Sequence, residues 1–327
     1  MPRQARLDAP GTLHHVIIRG IERKKIISDD RDRKNFVSRM GTIAKETETL
    51  IYAWALMTNH AHILLRSGSF GLPRYMRRLL SGYATSYNRR HRRHGHLFQN
   101  RYKSIVCEQE PYFKELIRYI HLNPLRTNLV NNLSKLDHYK YCGHSVIMGR
   151  VKNDWQDRDY VLRWFGSKAG EAKRAYRQFV KKGIDQGRRS DLVGGGLIRS
   201  QGGWLAVKAM RRFGVREKSD ERILGSGEFV QQLISQSDQI RKGQFSAHER
   251  MQRVTIEVEN KCRKENISVE AMQSGSRRQK VSMVRSQLAI KLVEEYGLSL
   301  AETGRHLGVS ASAIAKTLIR LDKNKYN

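Results

Sequence analysis

Over the first 125 residues, short β-branched runs alternate with longer stretches of helical period. TLHHVIIRG (12–20) reads as a strand that ends at Gly20. DDRDRKNFVSRMGTIAKETE (29–48) opens on aspartates and spaces its apolar residues for one helix face. LIYAWALM (50–57) and HAHILLRS (60–67) are two strands, joined at Thr58-Asn59 by a link short enough for a hairpin. LPRYMRRLLSGYATSYNRRH (72–91) is a helix and RYKSIVCE (101–108) a strand. PYFKELIRYIHLN (111–123) is a further helix, with Pro111 in its first turn and Pro124 ending it. The order β-α-β-β-α-β-α predicts an α+β domain: a ferredoxin-like antiparallel sheet with helices on one face and an appended helix.

Beyond this domain, taken as residues 1–145, the pattern becomes helical. Residues 146–203 read as a helical extension and a Gly-rich linker, KKGIDQGRRSDLVGGGLIRSQGG (181–203) being the linker or an exposed loop. Residues 204–270 are helical and charged, and their pattern points to no role. Within 271–327, SLAETGRHLGVSASAIAKTLIRL (299–321) has the form of a helix-turn-helix. Ala301, Gly304 and Leu307 share one face of its first helix, and Gly308 makes the turn. Ser310 caps the second helix, whose buried face holds Ile314 and Leu318. Ser312, Lys316, Thr317 and Arg320 are then left for a DNA groove.

Charge narrows the partners. The 327 residues hold 62 Lys and Arg against 31 Asp and Glu, a net charge of +31. Such an excess points to nucleic acid, because each phosphate contact releases counterions. It is concentrated in 74–103, where Arg77, Arg78, Arg89, Arg90, Arg92, Arg93, Arg101 and Lys103 interleave with Tyr75, Tyr83, Tyr87, Phe98 and Tyr102. Arginines hold phosphates, and the rings are read as packing or as platforms for unpaired bases. The three scattered cysteines show no zinc or disulfide spacing. No apolar run of membrane-spanning length and no secretory leader is visible, so a cytoplasmic protein without membrane contact is expected.

Candidate chemistry lies in ALMTNHAHILL (55–65) and ELIRYIHLNP (115–124). In a strand, His60 and His62 project from the same face. Alone, such a pair suits a structural role as well as half of a metal site. Four residues apart on a helix, Tyr119 and Asn123 add a hydroxyl and an amide oxygen on one face. Together these residues offer what cleavage of single-stranded DNA through a phosphotyrosine needs. All the ligands are neutral, so a DNA phosphate would complete the shell of a hard divalent ion. Tyr112, seven residues before Tyr119, is the alternative nucleophile. Glu108 and Glu110 are candidates for an acidic ligand, and one of His14 and His15 could lie near the site.

NHAHILL, GHLFQNRYKS and YIHLNPLR resemble the REP-associated single-tyrosine transposases of the HUH endonuclease class, with Ala61 as the middle residue. The resemblance covers residues 1–145 and implies a ferredoxin-like nuclease fold that cuts and rejoins single-stranded DNA, often at hairpins. It implies His60, His62 and Asn123 as ligands of magnesium or manganese, Tyr119 as nucleophile, and a 5′-phosphotyrosine product. RSQLAIKLVEEYGLSLAETGRHLG (285–308) resembles the DNA-binding domain of the replication initiator DnaA, which implies duplex DNA as a second partner. VSASAIAKTL departs from that family's recognition helix, so its target sequence does not carry over. The alternatives are a non-catalytic DNA-binding transcriptional regulator and a replication or conjugation nicking enzyme. A homodimer would supply two sites for two-ended transposition.

Overall fold

The protein is described from a computed structural model. Leu7 and residues 10–187, 189–196, 200, 218–243 and 247–324 are the ones it describes. The chain divides into two compact units, Met1–Asp238 and Gln239–Asn327.

In the first unit, β1 (Leu13–Arg19) lies at the centre of the sheet. It pairs antiparallel with β3 (His60–Arg66) and with β4 (Lys103–Cys107), and β2 (Leu50–Leu56) pairs antiparallel with β3. The order β2-β3-β1-β4 is that of the expected split βαβ sheet. A further strand, β5 (Ile223–Leu224), runs parallel to β4 and makes the sheet mixed. It interrupts the stretch 204–270, which reads as helical from its pattern alone. Residues 204–217 of that stretch lie outside the described residues.

Alternation along the strands assigns each residue to a layer. Val16, Ile18, Ala61, Ile63 and Leu65 pack with Phe36, Met40, Tyr75 and Leu79 of α1 (Asp30–Glu46) and α2 (Gly71–Arg90). Ile17, Ala53, Ala55, Leu64 and Ile105 meet Phe113, Leu116, Ile117 and Ile120 of α3 (Gln109–His121) on the opposite face. His60 and His62 alternate with the first set and so face the α3 layer.

That layer continues through α4 (Asn123–Arg126), α5 (Leu133–Asp137), α6 (Gly143–Ile147), α7 (Arg158–Arg163) and α8 (Ala169–Lys181). Leu136, Cys142, Ile147, Val161, Leu162, Tyr176 and Val180 share one core with α3, so packing runs through the boundary drawn at 145. The linker reading also needs correction. Leu192, Gly194 and Gly195 are buried, and the Gly195 and Gly196 N–H groups donate to the Glu221 and Ile223 carbonyls at 3.0 and 3.1 Å. Val230 and Leu233 of α9 (Gly227–Gly243) pack on Val106 and Ile223.

The second unit contains α10 (Ala247–Lys264), α11 (Val269–Gln273), α12 (Gln279–Glu294), α13 (Leu300–Leu307) and α14 (Ala311–Asn324). Its core includes Val254, Val258, Met272, Val284, Leu288, Leu292, Leu307 and Ile314. A Ser299–Glu302 capping box starts α13. Gly308 ends it at φ 65°, and a Cβ there would lie 1.7 Å from the Gln273 carbonyl oxygen, so only glycine fits. The buried Arg285 donates to the carbonyls of Leu307, Ser276 and Met272 at 3.1, 2.9 and 2.8 Å, tying three chain segments together. Ala301, expected on the buried face of α13, is exposed; Thr303 is buried there with Gly304 and Leu307. No described helix is long and apolar enough to cross a membrane.

Candidate active site

The β2–β3 hairpin and β1 present three imidazoles to the α3 layer. His15 Nδ1 lies 3.0 Å from the Leu192 carbonyl oxygen, and His15 Nε2 lies 2.9 Å from His62 Nδ1. A carbonyl only accepts, so His15 carries its proton on Nδ1 and accepts at Nε2. His62 must then donate from Nδ1, which leaves the lone pair on its Nε2. His60 is fixed in the same way. Its Nδ1 lies 2.7 Å from Asn59 Oδ1, and the Asn59 amide donates to the Arg23 carbonyl at 3.1 Å, which identifies Oδ1 as the acceptor. Both histidines of the pair therefore hold the Nε2 lone pair that a metal takes.

Burial keeps the His15 and His62 rings neutral. His62 sits well below the usual imidazole range because it is desolvated and because His15, His60 and Arg19 disfavour another positive charge. His15 is pushed down to about 4 by burial, an effect that the Leu192 carbonyl partly offsets and Lys103 reinforces. Neutral imidazole is the ligating form.

Tyr119 joins this group from α3. Its ring stands edge-on to His62 and His15, with centroids 5.7 and 6.0 Å apart. His60 and His62 are 5.3 Å apart. At the α3–α4 junction the buried Asn123 amide donates to the Tyr119 and Ile120 carbonyls at 2.9 and 3.3 Å. Those bonds assign the amide nitrogen and oxygen. Two imidazole nitrogens and one amide oxygen suit a divalent ion with positions left for phosphate oxygen.

Other sequence candidates fall elsewhere. Tyr112 donates to the Ser200 carbonyl at 3.0 Å, and Glu108 accepts from the Ser226 N–H at 2.7 Å. His14 is tied to Thr12 and Ser104 at 2.7 and 2.9 Å. His15 was one of two possibilities in the sequence, and Leu192 was not foreseen; neither the order of elements nor local spacing brings residues 177 apart together.

The basic stretch divides by burial. Tyr75, Tyr83, Tyr87, Phe98 and Tyr102 belong to the core, so of the two readings, packing and stacking, packing holds. Arg90 pairs with Asp29 and Asp32, and Arg78 with Glu46, so these two are held by carboxylates. Arg93 donates to Asn88 at 3.1 Å, and Lys103 to the Val193 carbonyl at 2.7 Å. Arg77, Arg89, Arg92 and Arg101 lie in the same stretch and are exposed. In the second unit Ser312, Lys316 and Arg320 are exposed, whereas Thr317 is half-buried. Asp29, Asp32 and His91 also bring ligand atoms within 4.8 Å of one another. There the Arg90 guanidinium already pairs with both carboxylates and Asp29 caps α1, which accounts for the cluster without an ion.

The family model described as "Transposase IS200 like" matches residues 11–123, the stretch that builds β1 to β4, α1 to α3 and this site. Over these residues the chain is similar to the IS200-like transposases. A solved structure described as a REP-associated tyrosine transposase bound to a REP hairpin is 13% identical, with a TM-score of 0.39 over 48% of this chain and 94% of that one. No curated protein matches the sequence.

Proposed function

We propose that the protein cuts and rejoins single-stranded DNA, folded as a hairpin or short repeat, through a covalent bond between Tyr119 and a 5′-phosphate. The observation that carries this reading is the contact of the Tyr119 ring with His62, a histidine whose tautomer is set for ligation. His60 and His62 through Nε2, and Asn123 through Oδ1, would hold magnesium or manganese. A bound ion supplies Lewis-acid polarisation of the phosphate and offsets its developing charge.

Tyr119 Oη attacks phosphorus as the P–O3′ bond breaks. The phenolic proton goes to water, and the departing 3′-oxygen takes one from water. The new ester conserves the energy of the phosphodiester, so the reverse attack by a 3′-OH reseals the strand without a nucleotide cofactor. Arg77, Arg89, Arg92 and Arg101 add phosphate contacts in the same unit as the site. In the second unit, α13 and α14 form the helix-turn-helix that engages duplex DNA through Ser312, Lys316, Thr317 and Arg320.

The test is incubation of labelled single-stranded hairpins, taken from repeats flanking the gene, with the full chain and Mg2+ or Mn2+. A metal-dependent protein–DNA adduct that Tyr119→Phe abolishes is the expected result. An adduct that survives in Tyr119→Phe moves the nucleophile to another residue such as Tyr112. Binding without cleavage by the wild type favours the regulator.

A further inference from the structure

Within the reading of Tyr119 as nucleophile, we infer that Arg126 is a further catalytic residue, whose guanidinium holds a non-bridging oxygen of the phosphate under attack. Arg126 ends α4, one turn after Asn123, and its Cζ lies 5.4 Å from the centroid of the Tyr119 ring. Its Nε and Nη1 are buried and have no hydrogen-bond partner among the described residues. Nη2 is engaged by a long 3.4 Å contact with the Gly183 carbonyl.

The neighbouring cations are satisfied where Arg126 is not. Arg118 donates to Glu115 at 2.6 Å and lies over the Phe179 ring at 4.2 Å. Arg189 pairs with Asp191 at 2.7 Å and with Glu115 at 3.1 Å. Glu115 and Asp191 are thus taken, and among the described residues no carboxylate pairs with Arg126. A buried guanidinium without its acid is costly to keep, and it is the group suited to fork onto phosphate oxygens. Beside a tyrosine that is to attack a phosphodiester, the oxygen that satisfies Nε and Nη1 is that of the substrate. There the charge that gathers on the phosphoryl oxygens in the transition state meets donors already in place. Arg126 forms and breaks no covalent bond and exchanges no proton in this role.

The experiment is single-turnover adduct formation on the labelled hairpin by the full chain, comparing wild type, Arg126→Ala, Arg126→Lys and Tyr119→Phe. Thermal melts of each variant establish that it is folded. Arg126→Ala is expected to slow the adduct by about 100-fold, the usual loss for one preorganised donor. Methylguanidinium added to Arg126→Ala should restore a large part of that rate, and neutral urea at the same concentration should not. Arg126→Lys should fall between the wild type and Arg126→Ala. A wild-type rate in Arg126→Ala overturns the inference, and so does a loss that methylguanidinium leaves unchanged, the signature of a packing role. An adduct that persists in Tyr119→Phe overturns the parent reading instead, and that outcome is separable from the Arg126 result.

Discussion

His15 Nε2 accepts a hydrogen bond from His62 Nδ1 across 2.9 Å, while the other nitrogen of His15 donates to the Leu192 carbonyl. The chain of bonds runs from a downstream loop, through β1, to the proposed ligand on β3, and every proton in it is fixed by the one before. Replacing His15 with Ala removes the acceptor and lets the His62 ring rotate and change tautomer. For partners of this kind the loss in metal affinity or activity is about 10- to 100-fold. Metal-dependent adduct formation by His15→Ala should fall by that factor, with more Mn2+ needed for half-maximal rate. If the Mn2+ requirement of His15→Ala matches the wild type, the relay does not set the ligand.

Stability should decline in mild acid. Burial pushes His14 down to about 3, and it also lowers His144, where the Asp137 carboxylate offsets part of the effect. An unfolded histidine titrates near about 6.5, so the unfolded chain takes up these protons first. The stability tied to the neutral rings is whole above that pH and drains as pH falls toward the folded values. Each such ring contributes a slope of about 1.4 kcal/mol per pH unit in that window. Denaturant melts of the wild type and of His14→Gln between about pH 6 and 4 should show the variant's slope reduced by that amount. Equal slopes would remove His14 from the account.

Much of the fold is legible in the sequence where periodicity is local. β1 to β4 and α1 to α3 follow from alternation, helical spacing and caps such as Asp29. The placement of Tyr119 opposite His62 follows from the order of the elements. What escapes depends on pairing between distant segments. β5 is two residues long and exists because it pairs with Val106 and Cys107. The Gly-rich run at 194–196 reads as a linker, yet its small residues let the backbone pack beside Ile223, where a Cβ on Gly195 would meet the carbonyl oxygen at 2.1 Å. The rings of Tyr75, Tyr83 and Tyr87 read as nucleic-acid platforms only while their partners are unknown. The Tyr75 and Tyr83 hydroxyls donate to the Met40 and Ile26 carbonyls, and that of Tyr87 bonds with Ser28, which consumes all three inside the core.

Gly41 offers a test of how the segment holding Trp155 joins α1. A Cβ on this α1 residue would lie 2.3 Å from Trp155 Cδ1, so the indole is seated directly on the helix backbone. Gly41→Ala gains helix propensity but forces the indole out, and overpacking of this kind costs about 1–3 kcal/mol. Denaturant melts should show that loss in Gly41→Ala. In the Gly41→Ala/Trp155→Ala double variant the second alanine should cost less than it does alone, because the indole is already displaced. Strict additivity would mean that Trp155 yields freely and does not tie residue 155 to α1.

The proposed duplex binding by α14 separates from the proposed hairpin cleavage in a binding experiment. Ser312, Lys316 and Arg320 recur every four residues along one side of α14, while Ile314 is buried and Leu318 packs against the core on the other side. A face so built can lie in a groove without disturbing the packing that supports it. In the full chain, Lys316→Glu/Arg320→Glu should weaken duplex binding and lower the slope of log affinity against log salt by about one for each phosphate no longer neutralised. Cleavage of a short single-stranded hairpin, which the first unit is proposed to perform, should keep its wild-type rate. Duplex affinity and salt slope that survive both substitutions would place the duplex-binding surface elsewhere on the protein. A joint loss of duplex binding and hairpin cleavage would show instead that α14 serves the same DNA as Tyr119.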